Sequence, residues 1–254
     1  METANLLDDL RGKATRRHLV FPGACAVCQL RGRATTIYLE RGSWARDSLT
    51  CVRCRSIPRE RCLATVLSRL RPNWRELALH ESSPGAAGLS RALRRACPRY
   101  TSSQYLPDTP LGAESSGVRS EDLRALTFPD ESLDVLITQD VLEHVFEPER
   151  VLAETRRVLG PGGVHVATFP WRPDLPQTRD RAVERDGEVV HLLEPEWHGN
   201  PVGDGRSLVT VDWGADVFAI AGRAGLDLTV LKVPYQRRHG IDGEFREVFV
   251  FERI

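Results

Sequence analysis

Leu126-Thr127-Phe128-Pro129-Asp130-Glu131-Ser132-Leu133-Asp134-Val135-Leu136-Ile137-Thr138, continued by Gln139-Asp140-Val141-Leu142-Glu143-His144-Val145, decides the fold. Residues 133–138 are a short apolar run beside polar turn residues and read as a buried strand. In residues 148–159, Val151, Leu152, Thr155 and Val158 fall on one side of a helix, and Gly160-Pro161-Gly162-Gly163 stops it. Residues 164–169 (VHVATF) form the next strand. Strand, helix, strand is the repeating unit of a parallel sheet covered by helices.

Working outward, the same alternation continues in both directions. Residues 77–80 read as a strand, 88–96 as a helix and 99–104 as a strand. Towards the end, 215–224 is a helix capped by Gly225, and 228–233 and 247–252 are strands. Gly240 and Gly243 lie in the turn region between that last pair, which makes it antiparallel. Residues 171–210, rich in Pro, Gly, Trp and His, show no clear periodicity and read as an acceptor loop or lid.

Before residue 73 the chain changes character. Cys25, Cys28, Cys51 and Cys54 form two C-x2-C hooks separated by 22 residues, with a strand at Thr35-Thr36-Ile37-Tyr38-Leu39 between them. Two tight turns, each presenting two thiolates, close a tetrahedral shell, so the spacing predicts a structural zinc site. Two disulfides are the alternative, and the absence of an export signal weighs against them. Cys62 and Cys97 read as buried apolar residues. The second hook leads into a helix starting at Ser56-Ile57-Pro58 and ending before Pro72. Residues 1–72 are thus predicted to be a zinc-ribbon-like module with a linking helix, and 73–254 the larger α/β domain.

The central block has a further reading. With Pro148-Glu149, Glu154, Arg157-Val158-Leu159 and Pro161-Gly162-Gly163, it resembles the class I S-adenosylmethionine-dependent methyltransferases of the small-molecule type over residues 76–170. The resemblance implies a Rossmann-like, seven-stranded, mostly parallel sheet with an antiparallel last strand, and a cofactor outside the carboxyl ends of the strands.

Four positions carry over. In Glu81-Ser82-Ser83-Pro84-Gly85-Ala86-Ala87-Gly88, Glu81 takes the acidic place, and Ser83, Gly85 and Ala87 take the alternate small places where the family has glycines. Pro84 departs from the pattern, since it removes an amide donor. Gln104 stands where the family has an acid for the ribose hydroxyls. Asp122, with Leu123 beside it, falls at the adenine, or is a turn cap. Gln139 and Asp140 fall at the methionine end, and Asp140 with Glu143 also spells a capping box.

Methyl transfer from a sulfonium needs a positioned nucleophile and, for an oxygen acceptor, a place for its proton. His198, in Trp197-His198-Gly199-Asn200-Pro201, is the preferred base, and His144 is the second candidate. A plain turn at 197–201 and a half-buried helix histidine at 144 are the structural alternatives. Arg179 and Arg181 could bind an anionic group on the acceptor, or be solvated.

The 254 residues, 41% of them hydrophobic, exclude a disordered chain, and their short apolar runs exclude a membrane span. The start METANLLDDLRGK lacks the pattern of a signal peptide, so a cytoplasmic location is expected. Net charge is zero, yet residues 1–75 hold 15 Lys or Arg against 6 Asp or Glu, and the remainder carries the compensating −9. Such asymmetry predicts a basic face that docks on the acidic part or meets an anionic partner. The resemblance implies a small-molecule or sugar-type acceptor as the first reading. An RNA or protein methyltransferase gripping substrate through residues 1–72, with Tyr38 and Trp44 as stacking candidates, is the second, and a non-catalytic binding protein the third. Acceptor identity and oligomeric state are not encoded in any motif.

Overall fold

The computed structural model describes residues 19–33, 35–40, 45–199 and 205–254. Its N-terminal part is a three-stranded antiparallel sheet, ordered β1 (Leu19–Gly23), β2 (Thr36–Glu40), β3 (Leu49–Cys51). The short helices α1 (Ala26–Gln29) and α2 (Ala45–Ser48) lie within it, and the longer α3 (Pro58–Leu70) follows. Pro58 at the first turn and the Glu60 carboxylate bonded to the Ile57 amide at 2.8 Å start α3 where the sequence places it. Trp44 lies outside the described residues, and Tyr38 is fully buried, so Tyr38 is not a stacking surface.

The main sheet has eight strands. Chain order runs β4 (Leu79–Ser82), α4 (Gly88–Ala96), β5 (Tyr100–Gln104), β6 (Glu114–Ser115), β7 (Val118–Ser120), β8 (Leu133–Gln139), α5 (Pro148–Val158), β9 (Leu159–Thr168). After six short strands described below, α6 (Val217–Arg223), β16 (Leu226–Lys232) and β17 (Glu247–Arg253) complete it. Spatial order is β16-β17-β9-β8-β4-β5-β7-β6. The five strands from β9 to β7 are parallel, and β17 runs antiparallel to both of its neighbours. Seven strands are those expected; the eighth, β6, corrects the count. Ser116 and Gly117, both at positive φ, make a two-residue hairpin that adds this short edge to β7.

Strand alternation divides the core into two layers. Val135 and Ile137 of β8, Val164 and Val166 of β9, and Val248 and Val250 of β17 face α4 and α3. Leu136, Ala167, Phe249 and Phe251 face α5 and α6. The first layer does not stop at residue 72. Cys62, Leu63, Val66 and Leu67 of α3 share one buried cluster with Leu89 and Leu93 of α4 and with the sheet valines. Cys62 and Cys97 are buried in it, as their sequence context suggested.

Residues 171–210 are more regular than the sequence indicated. Their described residues, with the adjoining 211–212, form antiparallel two-stranded ribbons: β10 (Arg179–Asp180) with β15 (Val211–Asp212), β11 (Ala182–Arg185) with β12 (Glu188–His191), and β13 (Trp197–Gly199) with β14 (Arg206–Leu208). Two to four residue pairs in a ribbon are too few to produce a readable alternation. Among the described residues, no helix is long and apolar enough to cross a membrane.

Candidate functional site

A cavity of about 820 Å3 opens at the carboxyl ends of β4, β5, β7 and β8. It lies where strand order reverses around β4, as expected for open α/β sheets. Ser83, Gly85, Gln104, Asp122, Leu123, Gln139, Asp140, His144 and His198 all line it. These residues are spread over 116 positions of sequence, and the fold brings them to one wall system. His191, Arg179 and Arg181 are not in its lining. Both arginines pair instead with Asp212, at 2.7 and 3.1 Å.

The loop after β4 is shaped by side chains rather than by glycines. Ser83 adopts φ +56, a conformation that L-residues seldom hold. Glu81 is fully buried beneath the loop, outside the cavity wall. It accepts hydrogen bonds from Ser90 Oγ at 2.7 Å, Gln139 Nε2 at 2.7 Å and Tyr100 Oη at 2.8 Å. Burial raises its carboxyl pKa, against the pull of those three donors. Ser90 Oγ in turn accepts the Gly85 amide at 3.0 Å. Glu81 thus fixes the loop and the Gln139 side chain together.

The start of α4 is held from the N-terminal module. The Gly88 amide donates to the Cys54 carbonyl at 2.9 Å, and the Leu89 amide donates to Glu60 Oε1 at 2.7 Å. Gly88 sits at φ +58, and a Cβ there would lie 1.9 Å from the Glu60 carboxylate. Arg46 and Arg59 also reach the cavity from this module. Their guanidiniums lie 2.6 and 3.2 Å from Asp140 Oδ2. Burial would raise the Asp140 pKa, but the Arg59 and Arg46 charges outweigh it and hold the carboxyl below the usual range.

Asp140 therefore does not form the expected capping box. Residues Leu142–His144 are a single 3-10 turn without a side-chain cap, and Asp140, at φ +51, is turned towards the arginines and Thr168. The strong guanidinium pair outcompetes a local cap. Neither Arg46 nor Arg59 stood out in the sequence, where the only signal was the basic balance of residues 1–75. Much of that balance is spent internally: Arg71 meets Glu252 at 3.3 Å, and buried Arg61 donates to the Gly240 carbonyl.

Of the two readings weighed for Asp122, the turn cap is observed. Its Oδ1 accepts the Arg124 amide at 2.8 Å, a turn cap, while the residue still lines the cavity. Across the cavity, Glu143 is only 1% exposed, and neither of its carboxylate oxygens has a hydrogen-bond partner among the described residues. Burial, reinforced by the Asp140 charge, raises its pKa well above the ordinary value. His144 and His198 stand in front of it with rings at right angles, 5.1 Å between centroids.

The four hook cysteines converge. Their sulfurs lie within 4.8 Å of one another, with Cys25 to Cys54 at 3.6 Å and Cys28 to Cys51 at 3.7 Å. Four sulfurs about 2.3 Å from a central zinc would be about 3.8 Å apart. Ser56 Oγ and Thr36 Oγ1 lie 3.1 and 3.0 Å from Cys54 and Cys51, as outer partners of the cluster.

Comparison with known proteins agrees with this geometry. Residues 84–167 match the family described as methyltransferase domain. A protein of Mycolicibacterium smegmatis named "Probable S-adenosylmethionine-dependent methyltransferase" is 36% identical over 84 residues, covering 30% of this chain and 33% of that protein. The matched stretch therefore spans a third of that relative. CalS10, an amino pentose methyltransferase from Micromonospora echinaspora, superposes with a TM-score of 0.50 at 18% identity, over 79% of this chain and 93% of its own. A protein from Pyrococcus horikoshii superposes equally well, with TM-score 0.50, 18% identity, and 77% and 90% coverage. The fold is the Rossmann-like α/β fold of class I methyltransferases.

Proposed function

We propose that the protein is an S-adenosylmethionine-dependent methyltransferase acting on a small-molecule or sugar-type acceptor by in-line transfer. The supporting observation is the cavity beside β4, which stays open although its loop is poor in glycine. Its volume falls within the range of small-molecule sites. The residues present suit the cofactor. Gln104 offers an amide to ribose hydroxyls, Asp122 a carboxylate to an adenine amino group with Leu123 against the ring, and Ser83 and Gly85 a close main-chain edge. Gln139 and Asp140 border the methionine end, where Arg46 and Arg59 add positive charge near an amino-acid carboxylate. When bound, the cofactor supplies an electrophilic methyl group and a good leaving group.

The chain's own task is then to place the acceptor, keep water away and receive a proton where the nucleophile is a hydroxyl. His198 and His144 fill the acceptor side for these purposes. His144 is fixed by its Nδ1–H, which donates to the Leu208 carbonyl at 2.8 Å and leaves Nε2 as the unprotonated nitrogen. Residues 171–210 form the acceptor-side cover.

Zinc in the four-cysteine cluster would be structural, since four thiolates leave no open position. Two measurements test the whole reading. Calorimetry with S-adenosylhomocysteine should give one site per chain, and no binding at millimolar concentration removes the transferase assignment. Elemental analysis should give one zinc that resists mild chelation, and a metal-free protein with free thiols overturns the ribbon.

A further inference from the structure

Glu143 poses a question that the transferase reading does not answer. A carboxylate that is 1% exposed, with both oxygens lacking hydrogen-bond donors among the described residues, is expensive to keep. Nothing about the 3-10 turn requires it. The turn is anchored by other groups: Thr210 donates from its amide to the Glu143 carbonyl at 2.8 Å and from Oγ1 to the Val145 carbonyl at 2.6 Å, and Trp213 Nε1 donates to the Leu142 carbonyl at 3.1 Å. The turn's hydrogen bonds thus run through its backbone carbonyls and leave the buried Glu143 side chain out.

Two imidazoles share its free oxygen. His144 Nε2 lies 3.7 Å and His198 Nδ1 3.8 Å from Glu143 Oε1, and the three ligand atoms all lie within 4.8 Å of one another. These separations are too long for hydrogen bonds but suit ligands of one ion, which stand about 3.4 Å apart in a tetrahedral shell at 2.1 Å. One outer partner matches as well. A ligating histidine commonly donates its other N–H to a carbonyl or carboxylate. His144 Nδ1 has the Leu208 carbonyl at 2.8 Å, whereas His198 Nε2 has only a loose charge contact, with Glu196 Oε1 at 3.5 Å. Nearby Asp140 takes Arg46 and Arg59 as direct ion-pair partners, whereas among the described residues no Arg or Lys forms an ion pair with Glu143, which feels those two arginines only at longer range.

We propose that Glu143, His144 and His198 form a second metal site, separate from the four cysteines, that takes a divalent transition cation on the cavity wall. Two histidines and one carboxylate leave coordination positions open. His144 and His198 line the cavity, so those positions face the acceptor side. The ligand class for them is a hydroxyl or vicinal diol, whose oxygen the cation would orient and acidify. In that case the histidines act as ligands, and the cation lowers the hydroxyl's pKa in place of a histidine base. This last role rests on the transferase reading, whereas metal binding itself does not.

The test is a Co2+ titration of full-length protein treated with a mild chelator so that only one zinc per chain remains, with that stoichiometry checked by elemental analysis, followed by visible absorption and thermal unfolding. One further equivalent of Co2+ should bind, with ligand-field bands and no sulfur-to-cobalt charge transfer, and should raise Tm. Glu143→Gln, which keeps the shape of the buried side chain, should weaken Co2+ at least tenfold and abolish the Tm rise. His198→Ala, at a half-buried site on β13, should do the same without risk to the core. Absence of saturable Co2+ binding overturns the site, as does equal binding by the native protein and both variants. Calorimetry with S-adenosylhomocysteine on the same native sample separates the readings: donor binding without Co2+ binding sinks only the metal site, and Co2+ binding without donor binding sinks only the transferase.

Discussion

Asp122 shows how a single side chain can be legible in kind and still surprise in detail. Its position followed from the resemblance, and it lines the cavity, but its carboxylate also grips Arg124 at 2.8 Å. Asp122→Ala is expected to weaken S-adenosylhomocysteine by about 1–3 kcal/mol, the scale of a lost polar contact in a buried site. Asp122→Asn, which keeps an oxygen for the Arg124 amide, should lose less, and an unchanged dissociation constant in both variants would take Asp122 out of the site. Two buried histidines make a second expectation. His80 is bonded to Thr101 and Ser103, and His165 to Thr138, and burial pushes each pKa down to about 3. The unfolded chain would take up these protons near pH 6.5 and the folded chain only near pH 3. Stability should therefore fall as pH drops through that window, seen as a declining urea midpoint. Replacing both histidines by Gln should flatten the slope, and an unaltered slope would point to other groups. Burial of this kind has no one-residue signature, which is why neither histidine stood out in the sequence.

Among elements, those with strong periodicity read well. The helix at 88–96 and the strands at 133–138 and 247–252 match the observed elements to within one residue, because apolar spacing alone specifies them. The six short strands after β9 did not read, since their pairing is set by the surface beneath them. The start of α4 is the most informative junction. Gly88 read from the sequence only as the first residue of a helix, and the structure shows that its glycine answers to Glu60 on α3. Gly88→Ala should cost about 1–2 kcal/mol for the left-handed backbone, plus the displacement of the Glu60 carboxylate. Gly187→Ala, at φ +81 with nothing within 4 Å of the added Cβ, is the control for the backbone cost alone. Equal urea midpoints for the two variants would show that Glu60 yields freely.

For the whole molecule, the sequence separated residues 1–72 from the rest by composition, a difference in charge and cysteine content that is real. It could not show that the two parts share a core, because contacts such as Cys62, Leu63 and Leu67 against Val135, Val164 and Val248 depend on docking that no local pattern encodes. A coupled effect follows. With zinc in the cysteine cluster, as proposed, stripping it should lower Tm and also weaken S-adenosylhomocysteine by about tenfold, the 1.4 kcal/mol equivalent of losing one backbone hydrogen bond near the site. Titration calorimetry before and after chelation measures both halves, and an unchanged affinity in the metal-free protein would uncouple them. The bond between the Gly88 amide and the Cys54 carbonyl has one more implication, for ancestry. A related chain that dispensed with the hooks could not merely drop them, since it would have to invent new cover for a valine-rich flank and a new acceptor for that amide.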